Sequence, residues 1–140
     1  MSDKPVVETK DLTKKYGDLV AVDSLNISIY PGQILGFIGP NGAGKTTTIK
    51  ILVGLARPTS GTATIDGADC VRDARSIKSL VGYMPDSFGS YDNMRVREYL
   101  DFFGAAYKIP PTRRKQRIYE VLELTDSSHM IDYQVSSLSR

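Results

Sequence analysis

Gly39-Pro40-Asn41-Gly42-Ala43-Gly44-Lys45-Thr46 satisfies the pattern G-x-x-x-x-G-K-[ST] at every fixed position. Glycines 39, 42 and 44 let the backbone turn with its N–H groups inward, because a Cβ there would block close approach of an anion. A helix opening at Lys45 adds its unpaired first-turn N–H groups and the favourable end of its dipole. Lys45 sets an ammonium against β- and γ-phosphates, and the Thr46 hydroxyl is a hard oxygen suited to Mg²⁺. The competing reading is a chance glycine-rich turn. An apolar run before the loop and a helical pattern after it favour the phosphate loop, so the expected ligand is a nucleoside triphosphate.

The elements that must hold this loop are legible on both sides. Leu25, Ile27 and Ile29 alternate with Asn26, Ser28 and Tyr30, which predicts a half-buried strand. After a Pro31-Gly32 turn, Ile34-Leu35-Gly36-Phe37-Ile38 reads as a strand buried on both faces. Lys45 to Leu55 reads as a helix with Ile49, Leu52 and Val53 on one side, closed by Pro58. Thr62 to Ile65 with Asp66-Gly67 predicts an edge strand and its turn, and Val81 to Met84 another short strand stopped by Pro85. Val96, Tyr99, Leu100 and Phe103 recur at helical spacing, giving a helix over 96–107 with an apolar face expected in the core. Beyond Pro110-Pro111, Thr112 is expected to cap a second helix bearing Ile118, Val121 and Leu122.

Composition narrows the class. The 140 residues hold 18 Lys+Arg against 16 Asp+Glu, with 41% hydrophobic and 24% charged residues. That is one domain at most with enough apolar material for a core, and it excludes intrinsic disorder. A net charge of +2 is too small to imply nucleic-acid binding, and none is expected. Cys70 is the lone cysteine, so no internal disulfide forms, and no Cys/His cluster offers a zinc site. Met1 to Lys10 shows no signal peptide, and an intracellular chain is expected. Ser24 to Gly44 is uncharged for 21 residues, but Pro31, Pro40 and its glycines would strand backbone groups in lipid, so it is not a membrane helix.

Several further segments carry a family likeness. Tyr16-Gly17, Tyr30-Pro31-Gly32, the loop through Thr47, Pro58-Thr59-Ser60-Gly61 with Ile65-Asp66-Gly67, Val81 to Pro85, and Val96 to Leu100 stand in this order. With Val135 to Arg140 at the start of a signature motif, the chain resembles the nucleotide-binding domain of ABC transporters, nearest to the drug-export branch. The resemblance implies an α/β P-loop NTPase fold of ABC type. Its parts here would be an amino-terminal antiparallel β part, the P-loop strand–helix unit and part of the helical subdomain. It implies that Tyr16 stacks on adenine, that Pro40, Asn41, Ala43 and Thr47 join the phosphate grip, and that Ser139 touches the γ-phosphate held by an opposing subunit. ATP and Mg²⁺ are the implied ligands. The implied partners are a second ATP-binding domain, in a head-to-tail dimer, and an integral membrane permease that holds the subunit at the cytoplasmic face of the membrane. The region from Asp86 into helix 96–107 would meet that permease.

Two departures stand out. Asp86 occupies the place of the family's usual glutamine: either a carboxylate holds the metal there, directly or through water, or Asp86 simply opens a polar loop after Pro85. No aliphatic run ending in Asp-Glu occurs after Thr47, so residues 1–140 are expected to form the amino-terminal portion of a longer ATP-binding domain, with hydrolysis a property of the parent. Exposed strand edges would then make the isolated chain associate. Arg113, Arg114, Lys115 and Arg117 read as a solvated face, with lipid headgroups or an acidic partner as the alternative, and His129 and Cys70 receive no role. Two functional alternatives stand beside the transporter subunit: a soluble ABC ATPase of translation or DNA repair, and a nucleotide-binding fragment without turnover.

Overall fold

Asp11, at φ 47°, is a bulge that re-phases the first strand. Val7 and Thr9 face one way before it, and Leu12 resumes the buried face one residue out of step. Asn26 closes the bulge: its Oδ1 accepts the Asp11 N–H at 2.9 Å and its Nδ2 donates to Asp11 Oδ1 at 3.1 Å. The computed structural model describes residues 4–85 and 93–138, which divide into the units 1–84 and 85–140.

In the first unit, β1 (Val7–Tyr16) pairs antiparallel with β2 (Leu19–Ile29) and with β3 (Ser60–Ile65). β3 pairs with the short β4 (Ala68–Asp69), so the sheet order is β2-β1-β3-β4. The strand expected at 25–30 is the second half of β2. β3 is not an edge strand, because β1 and β4 flank it; the Asp66-Gly67 turn has φ of 49° and 78°, the left-handed pair a tight hairpin requires. Two helices, α1 (Lys45–Leu52) and α2 (Ala74–Leu80), accompany the sheet. Leu12, Ala63 and Ile65 from the strands, Ile51 and Leu52 from α1, Ile77 from α2 and Cys70 form one buried cluster. Cys70, in the turn that follows β4, sends its side chain into this core, and burial pushes its thiol up to about 11.

Two expected strands are absent from the described residues. Residues 34–38 join no ladder, and Ile34 and Ile38 are 100% and 98% exposed. An apolar run becomes a strand only where another strand accepts its backbone groups, and no neighbour is present among the described residues. Residues 81–84 likewise pair with nothing described; Val81 ends α2, its N–H tied to the Ile77 carbonyl at 3.1 Å.

The second unit holds α3 (Val96–Ala106) and α4 (Pro111–Leu124), then single 3₁₀ turns at Ser128–Met130 and Val135–Ser137. Glu98 Oε2 accepts the Arg95 N–H at 2.8 Å and anchors the start of α3. Pro111, not Thr112, sets the start of α4: it occupies the first helical position, where its missing N–H costs nothing. The Arg97 and Val96 N–H groups donate to Ile131 and Tyr133 carbonyls at 3.1 and 3.0 Å, fixing the return segment. The basic residues of α4 are largely paired within the unit. Arg113 and Arg117 both reach Glu120, whose carboxyl is held below its ordinary range by Arg117 first and then Arg113. Arg114 binds Asp101 of α3 at 2.7 Å and the Ile109 carbonyl at 2.9 Å.

Candidate functional site

Gly44 joins the loop to α1 in the left-handed conformation, at φ 80°. A Cβ on it would run into the carbonyl oxygen of Ala21 and lie 3.1 Å from Cγ2 of Val22, so only glycine lets the loop seat against β2. The Gly44 carbonyl accepts the Thr48 N–H at 2.8 Å and the Thr48 hydroxyl at 3.0 Å. Thr48 is buried, and it ties the start of α1 to the loop; its value was missed in the sequence, where Thr48 reads only as a polar helix residue.

The N–H groups of Gly44, Lys45, Thr46 and Thr47 find no protein acceptor among the described residues. A first helical turn always leaves such donors over. Here four of them stand in succession beside a chain reversal in which the Ala43 N–H closes on the Pro40 carbonyl at 3.3 Å. Gly42 stands at φ 85° with open space where a Cβ would be, and Asn41 and Ala43 lie at the tip. The Lys45 ammonium curls back over the loop and donates to the carbonyls of Gly39 and Pro40, both at 2.7 Å. An ammonium has three N–H groups, so one remains for a ligand oxygen. Sequential N–H donors, a helix start and a tethered cation make a cradle that fits an anionic polyphosphate.

Thr46 is exposed and Thr47 half-buried at the mouth of this cradle. The Thr46 hydroxyl is a single neutral oxygen, which fits a Mg²⁺ that brings phosphate oxygens with it better than a metal held by protein alone. Asp86 and Ser139 lie outside the described residues. Tyr16 ends β1, half exposed, opposite Leu19 across the two-residue Gly17-Asp18 loop. Lys14 Nζ lies over its ring, 4.8 Å from the centroid. Lys14 faces Val22 across the ladder, and Val22 is the residue against which Gly44 packs. The β1–β2 hairpin thus carries the Tyr16 ring and the seat of the loop on one short stretch. Lys14 escaped the sequence reading; its only signal there is a basic residue two before an aromatic one, the spacing of one strand face.

This geometry has known counterparts. Residues 22–140 match the family described as ABC transporter. A probable multidrug ABC transporter ATP-binding protein of Escherichia coli K12 is 40% identical over 118 residues, which is 84% of this chain and 20% of that protein. The bacitracin transport ATP-binding protein of Bacillus licheniformis is 43% identical over 124 residues, 89% of this chain and 40% of its own length. The Nod factor export ATP-binding protein I of Cupriavidus metallidurans is 35% identical over 134 residues, covering 96% and 44%. The chain therefore spans less than half the length of these curated relatives. Among solved structures, an ATP-binding subunit of an ABC transporter superposes with a TM-score of 0.79 at 25% identity, over 96% of this chain and 56% of that one. A dimeric ATP-binding cassette bound to ADP and Pi superposes equally well, at 0.79 with 23% identity over 95% and 63%, and shows the shared fold. With the glycine-bearing loop, the tethered lysine and the match over residues 22–140 together, the chain belongs to the ABC transporter family.

Proposed function

We propose that residues 1–140 form the amino-terminal portion of one ABC-type ATP-binding domain, and that the parent protein couples MgATP binding and hydrolysis to export through a separate membrane permease. The observation that carries this reading is the cradle of four unclaimed N–H groups with Lys45 tethered across it. The resemblance of the relatives, whose names speak of multidrug, bacitracin and Nod factor transport, supports the transport context and the direction.

In this reading the roles follow from position. The N–H groups of Gly44 to Thr47 and the Lys45 ammonium bind the β- and γ-phosphates, with Gly39, Pro40, Asn41, Gly42 and Ala43 shaping the turn. Tyr16 stacks on the adenine, a contact that discriminates weakly between bases. Thr46 would hold Mg²⁺, whose chemistry is to neutralise charge on the phosphate oxygens. Asp86 is proposed as a second metal contact, and Ser139 as a contact to the γ-phosphate of a nucleotide on an opposing domain. Closure of two such domains head to tail around MgATP would move the permease, and reopening after hydrolysis would reset it. No helix among the described residues is long and apolar enough to cross a membrane, and the proposed place of the subunit is the cytoplasmic face, attached through the permease.

The test is titration with MgATP. Saturable binding is expected for the wild-type chain, falling about ten- to a hundredfold in Lys45→Ala with the circular dichroism spectrum unchanged, since a charge-assisted contact to phosphate is worth about 1.5–3 kcal/mol. Binding indifferent to that substitution would sink the assignment.

A further inference from the structure

We infer that Lys14 is a positioning residue that makes the site favour phosphorylated nucleotides over bare nucleosides, an inference that rests on reading Tyr16 as the base platform and the 39–47 loop as the phosphate cradle. Three observations converge on it. Lys14 Nζ sits 4.8 Å from the centroid of the half-exposed Tyr16 ring, over one of the two faces on which a base could stack. Lys14 forms no ion pair among the described residues, whereas Lys10 on the same strand lies 3.0 Å from Glu8. Lys14 also pairs directly with Val22, the residue in contact with the Gly44 position, so the cation stands on the sheet face that carries the loop.

A ring face is a single seat. A cation over an exposed tyrosine is held weakly and a stacked base more strongly, so an arriving purine displaces the ammonium. With adenosine the displaced cation gains nothing, and the lost contact subtracts from binding. With ATP the phosphates bound to that same base run toward the loop, and the freed ammonium, which has no carboxylate to return to, pairs with them. Lys14 thereby orients the ring while the site is free and shifts the balance toward the charged ligand once it fills.

The experiment compares ATP, AMP and adenosine as competitors of a fluorescent ATP analogue on the full chain, in wild type, Lys14→Met and Lys14→Arg. Lys14→Met keeps the apolar stem and removes the charge. It is expected to weaken ATP roughly three- to tenfold while adenosine stays equal or binds tighter, with the ATP effect shrinking in high salt and Lys14→Arg restoring it. Equal changes for ATP and adenosine, or none, would overturn the role of Lys14. If wild-type binding is saturable and lost in Lys45→Ala, that result leaves the nucleotide site standing; if wild type binds no ATP, both readings fall.

Discussion

Residues 34–38 and 44–52 lie a few positions apart and both carry large aliphatic side chains, yet one stretch is packed and the other stands in solvent. Ile51 is wholly buried, whereas Ile34 is wholly exposed. The difference is one of where hydrogen bonds come from. α1 satisfies its backbone internally and needs only a surface for Ile51 and Leu52, which the β1–β3 face provides. A strand satisfies nothing alone, and 34–38 has no neighbour in the sheet β2-β1-β3-β4. The loop between them inherits its order from the packed side: Gly44 against Ala21 and Thr48 on the Gly44 carbonyl. The phosphate cradle is thus anchored through α1 and its seat on β2, and residues 34–38 contribute no ladder to hold it.

The contrast is broken most strongly from the packed side. Ile51→Ala should cost about 2–5 kcal/mol, because it opens a cavity where a wholly buried side chain packs. The check is a urea midpoint shift at unchanged slope, with nucleotide binding lost in step with folding. Gly44→Ala should cost about 2–3 kcal/mol, from the left-handed φ of 80° and the collision with the Ala21 carbonyl. Unlike Ile51→Ala, it should abolish MgATP binding even at low temperature where the chain remains folded, because the loop itself must shift. Binding that survives Gly44→Ala would mean the seat on β2 does not shape the cradle.

The loop was legible because its chemistry is local. Three glycines, a lysine and a threonine at fixed spacing state a backbone shape without reference to distant residues. α1, α3, α4 and the Asp66-Gly67 turn were legible as elements for the same reason, each from its own period or dipeptide. Their buried faces were less so: α1 buries Thr48, Ile51 and Leu52 rather than Ile49 and Val53, and of the expected α3 core face only Val96 is buried while Phe103 stays exposed. β1 was not, because the bulge at Asp11 breaks its alternation between Thr9 and Leu12, and a period-2 reading sees no strand there. Residues 34–38 show the opposite failure. Their composition suits a buried strand, but pairing is a long-range fact that composition does not contain. The Lys14–Tyr16 contact, too, needs the strand to exist before its spacing means anything.

The packed side also makes a pH-dependent statement. Burial first, and the Asp69 carboxylate second, raise the Cys70 thiol from 9.0 to about 11. The unfolded thiol ionises at the lower value, so the unfolded chain sheds its proton first as pH rises. The stabilising contribution is whole below pH 9.0 and is lost progressively up to about 11. From pH 8 to pH 10 the urea midpoint should fall for wild type and fall less for Cys70→Ala. The thiol should also resist alkylation in the folded chain at pH 8. Rapid labelling without denaturant would show that the cluster opens.

The smallest effect on stability should come from the exposed side, and it carries a sharp contrast in a second observable. Ile34→Thr and Ile38→Thr together should change the unfolding free energy by less than about 0.5 kcal/mol, because neither side chain has anything to lose. Both substitutions keep the β-branch, so the backbone preference of the segment is preserved. What changes is the apolar surface offered to solvent beside unpaired backbone groups, the combination that drives edge-to-edge pairing. Light scattering at rising concentration should therefore show self-association for wild type and less of it for the double variant, at equal fold stability. A large loss of stability would place both isoleucines against packed neighbours in solution. An unchanged association would move the sticky surface elsewhere, to the exposed Leu19 and Val20 end of the hairpin.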